Sequence, residues 1–185
     1  MAPERGTDWS LLEREFAAYV RGDSRAARAF FGAMPRVLEP FFFVRTRSEK
    51  DTEDLVQATL LKLHFSRGKY DPTRALKTFV FTVARNTLID HWRGGDEAKG
   101  VQREALDDEE ASRVPSPELD PAMRAELARD LGRAMETLKP NDRLIVYLYG
   151  AEGFSMAEIA ETLGLTEAAV KLRAHRSYVQ LRKRL

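Results

Sequence analysis

Cysteine is absent from the chain, and histidine occurs only as His64, His91 and His175. Without cysteine there is no disulfide framework and no thiolate metal site. The histidines are scattered, and none stands in an H-E-x-x-H or similar spacing. No glycine-rich phosphate loop and no serine nucleophile motif occurs. An enzyme needs convergent titratable groups, and none is offered. The chain therefore reads as a non-enzyme that uses no metal and no other cofactor. Long apolar runs are missing too. The longest aromatic burst, Phe41-Phe42-Phe43, is far too short to span a membrane. The opening MAPERGTDWS lacks the apolar core of a signal peptide. No internal repeat recurs at a fixed period. Together these absences lead to the expectation of a cytoplasmic protein.

What is present is charge and helical periodicity. Of 185 residues, 32% are charged and 43% hydrophobic, as in a globular protein rather than a disordered one. That length allows one sizeable core or two small ones. The net charge of +1 conceals an uneven distribution. Residues 1–93 carry a net +4, residues 94–122 a net −6, and residues 123–185 a net +3. Two mildly basic ends around an acidic middle suggest two nucleic-acid-facing modules on a tether.

The last 48 residues, Leu138 to Leu185, hold the clearest pattern. Ser155 and Glu158 form an S-x-x-E capping box opening a short helix. Ile159, Ala160 and Leu163 follow at helical spacing. Gly164 supplies a left-handed stop, and Thr166 can cap the next helix. This is a helix-turn-helix pattern with its second helix as the reader. From Val170 onward stand six basic residues (Lys171, Arg173, Arg176, Arg182, Lys183, Arg184) and no acidic one. Such a one-signed helix suits phosphate. On a helical wheel Val170, Ala174, Ser177 and Leu181 face inward. Lys171, Leu172, His175, Arg176 and Val179 face outward, with Arg173 at the flank. Leu172 cannot hydrogen-bond a base, but it can pack on a thymine methyl.

Upstream, Thr7 or Asp8 caps a first helix to about Val20, with Trp9, Leu12, Phe16 and Tyr19 or Val20 as its stripe. Gly22 ends it. Asp23 opens a second helix, with Ala26, Ala27, Phe30 and Phe31 inward. Pro35 and Pro40 lead us to expect a break or kink. Ser48 to Asp51 reads as a loop. A third helix starts at Asp51 or Thr52 and runs to about Phe65, with Leu55, Leu60 or Thr59, and Leu63 inward. Asp54, Gln57 and Leu61 share another face, suited to a basic partner helix. Arg67 to Pro72 is a loop. A fourth helix spans about Arg74 to Arg93. Leu76, Phe79, Val80, Val83, Ala84, Thr87 and Leu88 fit its inner face. The opposite side shows Thr82, Arg85, Asn86, Ile89, Trp92 and Arg93. Arginine, amide and indole suit single-stranded nucleic acid; alternatively Trp92 packs on another helix. Residues 95–120 read as a flexible acidic linker. A fifth helix runs from Pro121 through Leu138, and Pro140 opens the sixth. The fold class is all-α, with two small helical domains, 1–94 and 121–185.

Two blocks resemble one family. Asp51–Arg93 resembles region two of bacterial extracytoplasmic-function sigma factors. The E-D-L-V-Q run, the K-Y-D-P loop, V-A-R-N and the D-x-W-R end all fit. The C-terminal block resembles region four through L-x-P-x-x-R, G-F-S-x-x-E-I-A-E-x-L-G-L and V-K-x-R-x-H-R. The blocks lie in the family's order and at its distance. The family often has Trp at Phe79, an aromatic at Leu76 and a small polar residue at Leu172.

The resemblance implies a protein that binds core RNA polymerase and directs it to promoter DNA. Glu53, Asp54, Gln57 and Leu61 would dock on the polymerase. Lys69, Tyr70, Arg85, Asn86, Trp92 and Arg93 would recognise and melt the −10 element. Lys171, Leu172, Arg173, His175 and Arg176 would read the −35 element. Many relatives are held inactive by an anti-sigma factor, for which exposed faces of both modules are the natural target. The alternative is a helix-turn-helix transcriptional regulator that binds duplex DNA without polymerase.

Overall fold

The computed structural model describes residues 7–94 and 130–184. Among these, every regular element is helical. The chain divides into two compact units. The expected linker, 95–120, and the expected start of the fifth helix at Pro121 lie outside the described residues.

In the first unit, α1 is Trp9–Val20 and Asp8 caps it, accepting the Leu11 N–H at 3.0 Å. Leu12, Phe16 and Tyr19 are buried, whereas Val20 is exposed. Gly22 turns the chain at φ +101°. Asp23 then caps α2, Ser24–Thr46, through the Arg25 and Ala26 N–H groups.

Helix α2 runs unbroken through Pro35 and Pro40, which corrects the expected break. An interior proline costs about 3 kcal/mol or more through a lost hydrogen bond and a clash. Six large side chains oppose that cost: Phe30, Met34, Val37, Leu38, Phe41 and Phe42 are all buried on α2. Each recovers roughly 1.5–3 kcal/mol by leaving water, so tertiary burial outweighs the two local defects. Phe43 is the exposed member of the aromatic burst.

Helix α3 is Glu49–Ser66, two residues earlier than expected. The supposed loop residue Ser48 is its cap and accepts the Asp51 N–H at 3.2 Å. That bond draws Glu49 and Asp51 into the first turn, where the helix dipole favours acid. Thr59 is the fully buried alternative to Leu60. Its hydroxyl donates to the Leu55 carbonyl at 2.8 Å, so burial leaves no polar atom unmatched. A 3-10 turn, Arg67–Lys69, follows.

Helix α4 is Leu76–Gly94, starting two residues later than expected. Leu76, Val80, Ala84, Thr87 and Leu88 are buried as the periodicity requires, and Phe81 joins them. Phe79 and Val83 are only half-buried. Ala75 stands at the α4 cap position and has no side-chain oxygen to offer. Glu13 of α1 supplies one instead, accepting the Leu76 N–H at 3.1 Å.

Phe16 ties the unit together. Its ring lies 4.8 Å from Phe30, 5.2 Å from Tyr70 and 6.1 Å from Phe79. One side chain thus joins α1, α2, the loop before α4, and α4 itself.

In the second unit, residues 130–136 are helical (α5). Ala134, Leu138, Val146 and Leu181 form a shared core, while Leu131 is exposed. Helix α6, Pro140–Gly150, has proline in its first turn, where a missing N–H costs nothing. Helices α7, Met156–Leu163, and α8, Glu167–Arg182, complete the unit.

Phe16→Ala should destabilise the first unit by about 3–5 kcal/mol, as expected for a buried ring. Chemical denaturation followed by circular dichroism should show an early transition for that unit. A single transition at the wild-type midpoint would remove Phe16 from its central place.

Candidate polymerase and nucleic-acid interfaces

On α3, inward Leu55, Val56, Thr59 and Leu63 consume one side of the helix. Glu53, Asp54, Gln57 and Leu61 are left exposed. Leu61 is 60% exposed, a large apolar side chain in water. Phe65, one turn further on, is 78% exposed. The stripe therefore runs from acid and amide at one end to apolar at the other. Phe65 was missed because it fell at the expected helix end. Its spacing of four from Leu61 was the available signal.

The loop before α4 is held by its own side chains. The Asp71 carboxylate accepts from the Thr73 N–H at 2.9 Å and from its hydroxyl at 2.7 Å. Those bonds hold the Asp71 carboxyl below its ordinary range, with a smaller push from Arg74. The Tyr70 hydroxyl donates to the Arg74 carbonyl at 3.0 Å. The Tyr70 ring is half-buried, edge-on to Phe16 and 5.4 Å from Phe79. Desolvation, with Glu13 and Asp71 nearby, raises its hydroxyl pKa, so it stays neutral. Tyr70 thus shapes the loop as well as lining it. Lys69 is exposed beside it.

On α4, Asn86 is exposed, while Arg85 and Trp92 are half-buried. Residues 85, 86, 89, 92 and 93 share one face at 3.6 residues per turn. The side chain of Arg93 lies outside the described residues. The Arg45 guanidinium of α2 sits over the Trp92 ring, 4.5 Å from its centroid. The two readings of Trp92 therefore meet: it packs against another helix and stays partly exposed. Lys62 and Asp90 pair at 2.6 Å across α3 and α4. Both are largely exposed, so the pair contributes at most about 1 kcal/mol.

In the second unit the capping box forms as expected. The Glu158 N–H donates to the Ser155 hydroxyl at 3.2 Å, and the Ser155 N–H donates to the Glu158 carboxylate at 2.8 Å. Gly164 takes φ +65°, and the Leu165 N–H donates to the Ala160 carbonyl at 2.9 Å. Thr166 caps α8 by accepting the Ala169 N–H at 3.2 Å. These bonds satisfy helix ends that a tight turn would otherwise leave bare.

Val170, Ala174, Ser177 and Leu181 are all buried, so the inward side of α8 is as expected. Lys171, His175 and Arg176 point outward and are exposed. Lys171 pairs with Glu167 at 3.1 Å within the helix. Leu172 is half-buried, less open than its wheel position implies. Arg173 turns toward α6 and meets Asp142 at 3.6 Å. With its side chain only 16% exposed, Arg173 is partly built into the bundle. Arg143 is buried too and donates to the Leu138 carbonyl at 3.0 Å. Neither Arg45 nor Asp142 was singled out from the sequence, because both act on residues distant in the chain.

Comparison with known proteins agrees with this geometry. The family model Sigma-70 region 2 matches residues 38–97, and Sigma-70, region 4 matches residues 128–181. The chain is 32% identical over 165 residues to the ECF RNA polymerase sigma factor SigF of Caulobacter vibrioides, covering 89% of this chain and 88% of the relative. It is 36% identical over 154 residues to the RNA polymerase sigma factor CarQ of Myxococcus xanthus, covering 82% and 83%. Among solved structures, the sigma factor RpoE of Bartonella quintana, crystallised with the anti-sigma factor NepR, is similar. The TM-score is 0.59 at 25% identity, over 81% of this chain and 90% of that one. Both halves of the fold, their order and their relatives agree: this chain belongs to the extracytoplasmic-function sigma factors of the sigma-70 family.

Proposed function

We propose that the protein binds core RNA polymerase and directs it to promoters, with its first unit on the −10 element and its second on the −35 element. The observation that carries this reading is the pairing, on one chain, of two surfaces. One is an exposed acidic-to-apolar stripe on α3; the other is a capped helix-turn-helix with a basic outer face. A regulator that only binds duplex DNA has no use for the first. We assign residues 1–94 to region two, 95–120 to a linker and 121–185 to region four. The activity is recognition rather than catalysis, carried out in the cytoplasm where polymerase works. No helix among the described residues is long and apolar enough to cross a membrane. The solved RpoE relative is bound to an anti-sigma factor, and a partner of that kind is assigned here to the same exposed faces.

Glu53, Asp54, Gln57 and Leu61 form the polymerase-docking face, exposed and set on a capped helix. Lys69, Tyr70, Arg85, Asn86, Trp92 and Arg93 form the −10 surface. Melting requires extruded bases to regain a few kcal/mol by stacking and pairing. The exposed Asn86 amide and the partly exposed indole suit that task. Lys171, His175 and Arg176 face the −35 duplex. Arg173, at the flank of that side of α8, serves as a phosphate contact. Leu172 reads a thymine methyl.

Asp54→Lys should abolish binding to core polymerase with little change in thermal stability, because exposed substitutions rarely exceed about 0.5 kcal/mol. Asn86→Ala should do the opposite, keeping core binding but losing permanganate reactivity of promoter thymines. Normal core binding by Asp54→Lys would remove the docking assignment. Equal loss of both activities in Asn86→Ala would mean misfolding rather than a −10 role.

For the −35 element, a saturation library read by transcription separates two kinds of contact. Leu172→Ser should relax preference at one base pair by about 1 kcal/mol, the low end for one base contact. Arg176→Ala should weaken all sequences alike, by less as salt rises. Unchanged preferences with Leu172→Ser would make Leu172 a bystander.

A further inference from the structure

We propose that an exposed arginine stripe on α2, made of Arg25, Arg28 and Arg36, is a docking surface for this chain's own acidic run, Asp107-Asp108-Glu109-Glu110. The inference goes beyond the function proposed for either unit and does not depend on it.

The stripe lies on the side of α2 turned away from the core. Arg25, Arg28, Ala29, Gly32 and Arg36 recur at helical spacing and are all exposed. The buried Ala26, Phe30, Met34 and Val37 take the opposite side. The three guanidinium groups have no hydrogen bond or ion pair among the described residues. Their position is locally unfavourable. Arg25 stands in a first turn that holds no acidic residue, and Arg28 follows one turn later. A cation there opposes the helix dipole. Helix α3 shows the favourable arrangement, with Glu49 and Asp51 in its first turn. The Asp23 cap does not serve these arginines, because its carboxylate accepts the Arg25 and Ala26 N–H groups. Gly32 is a second unfavourable choice. Glycine inside a helix costs stability, yet a Cβ at Gly32 would meet no atom within 4 Å. Packing among the described residues therefore requires neither feature. An acidic group that approaches α2 closely from outside accounts for both.

Charge and reach select the occupant. Residues 94–122 carry nine acidic and three basic side chains, and four of the acids are consecutive at 107–110. This segment leaves the first unit beside α2, because Trp92, two residues before the end of α4, lies under Arg45 of α2. From Arg45 back to Arg25 is about 30 Å along the helix, at 1.5 Å per residue. The acidic run begins 13 residues beyond Gly94, a reach of about 43 Å when extended. A tether of that kind holds the carboxylates at roughly millimolar effective concentration. A second copy of the chain fits less well, since Glu39 is the sole acid of α2 and two such stripes would repel. In the free chain the acidic run screens the arginines from other polyanions. A partner that takes up the segment must first lift it from α2.

The absence of native cysteine allows one nitroxide label at Ala111→Cys, next to the acidic run in the full chain. At low salt the label should broaden the amide resonances of Ala29 and Gly32. The broadening should vanish at about 1 M salt, where the screening length falls to about 3 Å. It should also vanish with Arg25→Glu/Arg28→Glu, a pair of changes that suits the helix dipole and so preserves α2. An unbroadened α2 at low salt overturns the proposal. Broadening that survives both high salt and charge reversal overturns it too, because the contact is then not held by these arginines. Broadening on α8 instead of α2 would place the acidic run on the reading helix and also overturn it. If the label leaves α2 untouched while Arg25→Glu/Arg28→Glu weakens promoter binding by holoenzyme, the stripe is a DNA contact and the proposal falls.

Discussion

Burial of the Phe16 ring is the constraint on which the first unit depends. A promoter-melting surface must hold a loop and a helix at fixed positions while leaving their polar groups in water. Phe16 does this by contacting Phe30 on α2, Tyr70 in the loop and Phe79 on α4. Aromatic pairs at such distances contribute about 0.5–1.5 kcal/mol each beyond area burial. The neighbouring Glu13 adds direction by capping α4 from α1. The start of α4 is therefore placed by the core rather than by its own sequence. The residues proposed for the −10 element inherit that placement.

The second unit solves a similar problem by local means. Its turn is short, and both ends of α7 and the start of α8 are closed by an adjacent side chain or a left-handed glycine. Each such cap contributes typically about 1 kcal/mol. The inward side of α8 is made of small or apolar groups, so the helix can lie close to the bundle while its other side stays basic. Arg173 is divided between these demands, anchored at Asp142 yet next to the reading face. Specific readout needs such a rigid mount, because base contacts discriminate only when the side chain is held in register.

This contrast explains what could be read from the sequence. Ser155, Glu158, Gly164 and Thr166 act on neighbours within a few residues, so their spacing was sufficient. The inner stripes of α1, α4 and α8 were legible because burial imposes a period on the chain. The continuity of α2 was not legible. Pro35 and Pro40 are local stop signals, and only the tertiary burial of six side chains along α2 overrides them. The Arg45–Trp92 stack, the Glu13 cap and the Arg173–Asp142 pair join positions 47, 63 and 31 residues apart. No local pattern encodes such separations. The exposed Phe65 was hidden for a different reason, since helix ends are uncertain by a residue or two.

The central claim is that this chain reads promoters as a subunit of polymerase, not as an independent DNA binder. Footprinting on a duplex promoter, with and without core polymerase, tests it most directly. The account predicts no defined footprint for the protein alone. Adding core should protect both the −35 and −10 elements and open the DNA around −10. A sharp footprint on the −35 element alone, unchanged by core, would contradict it.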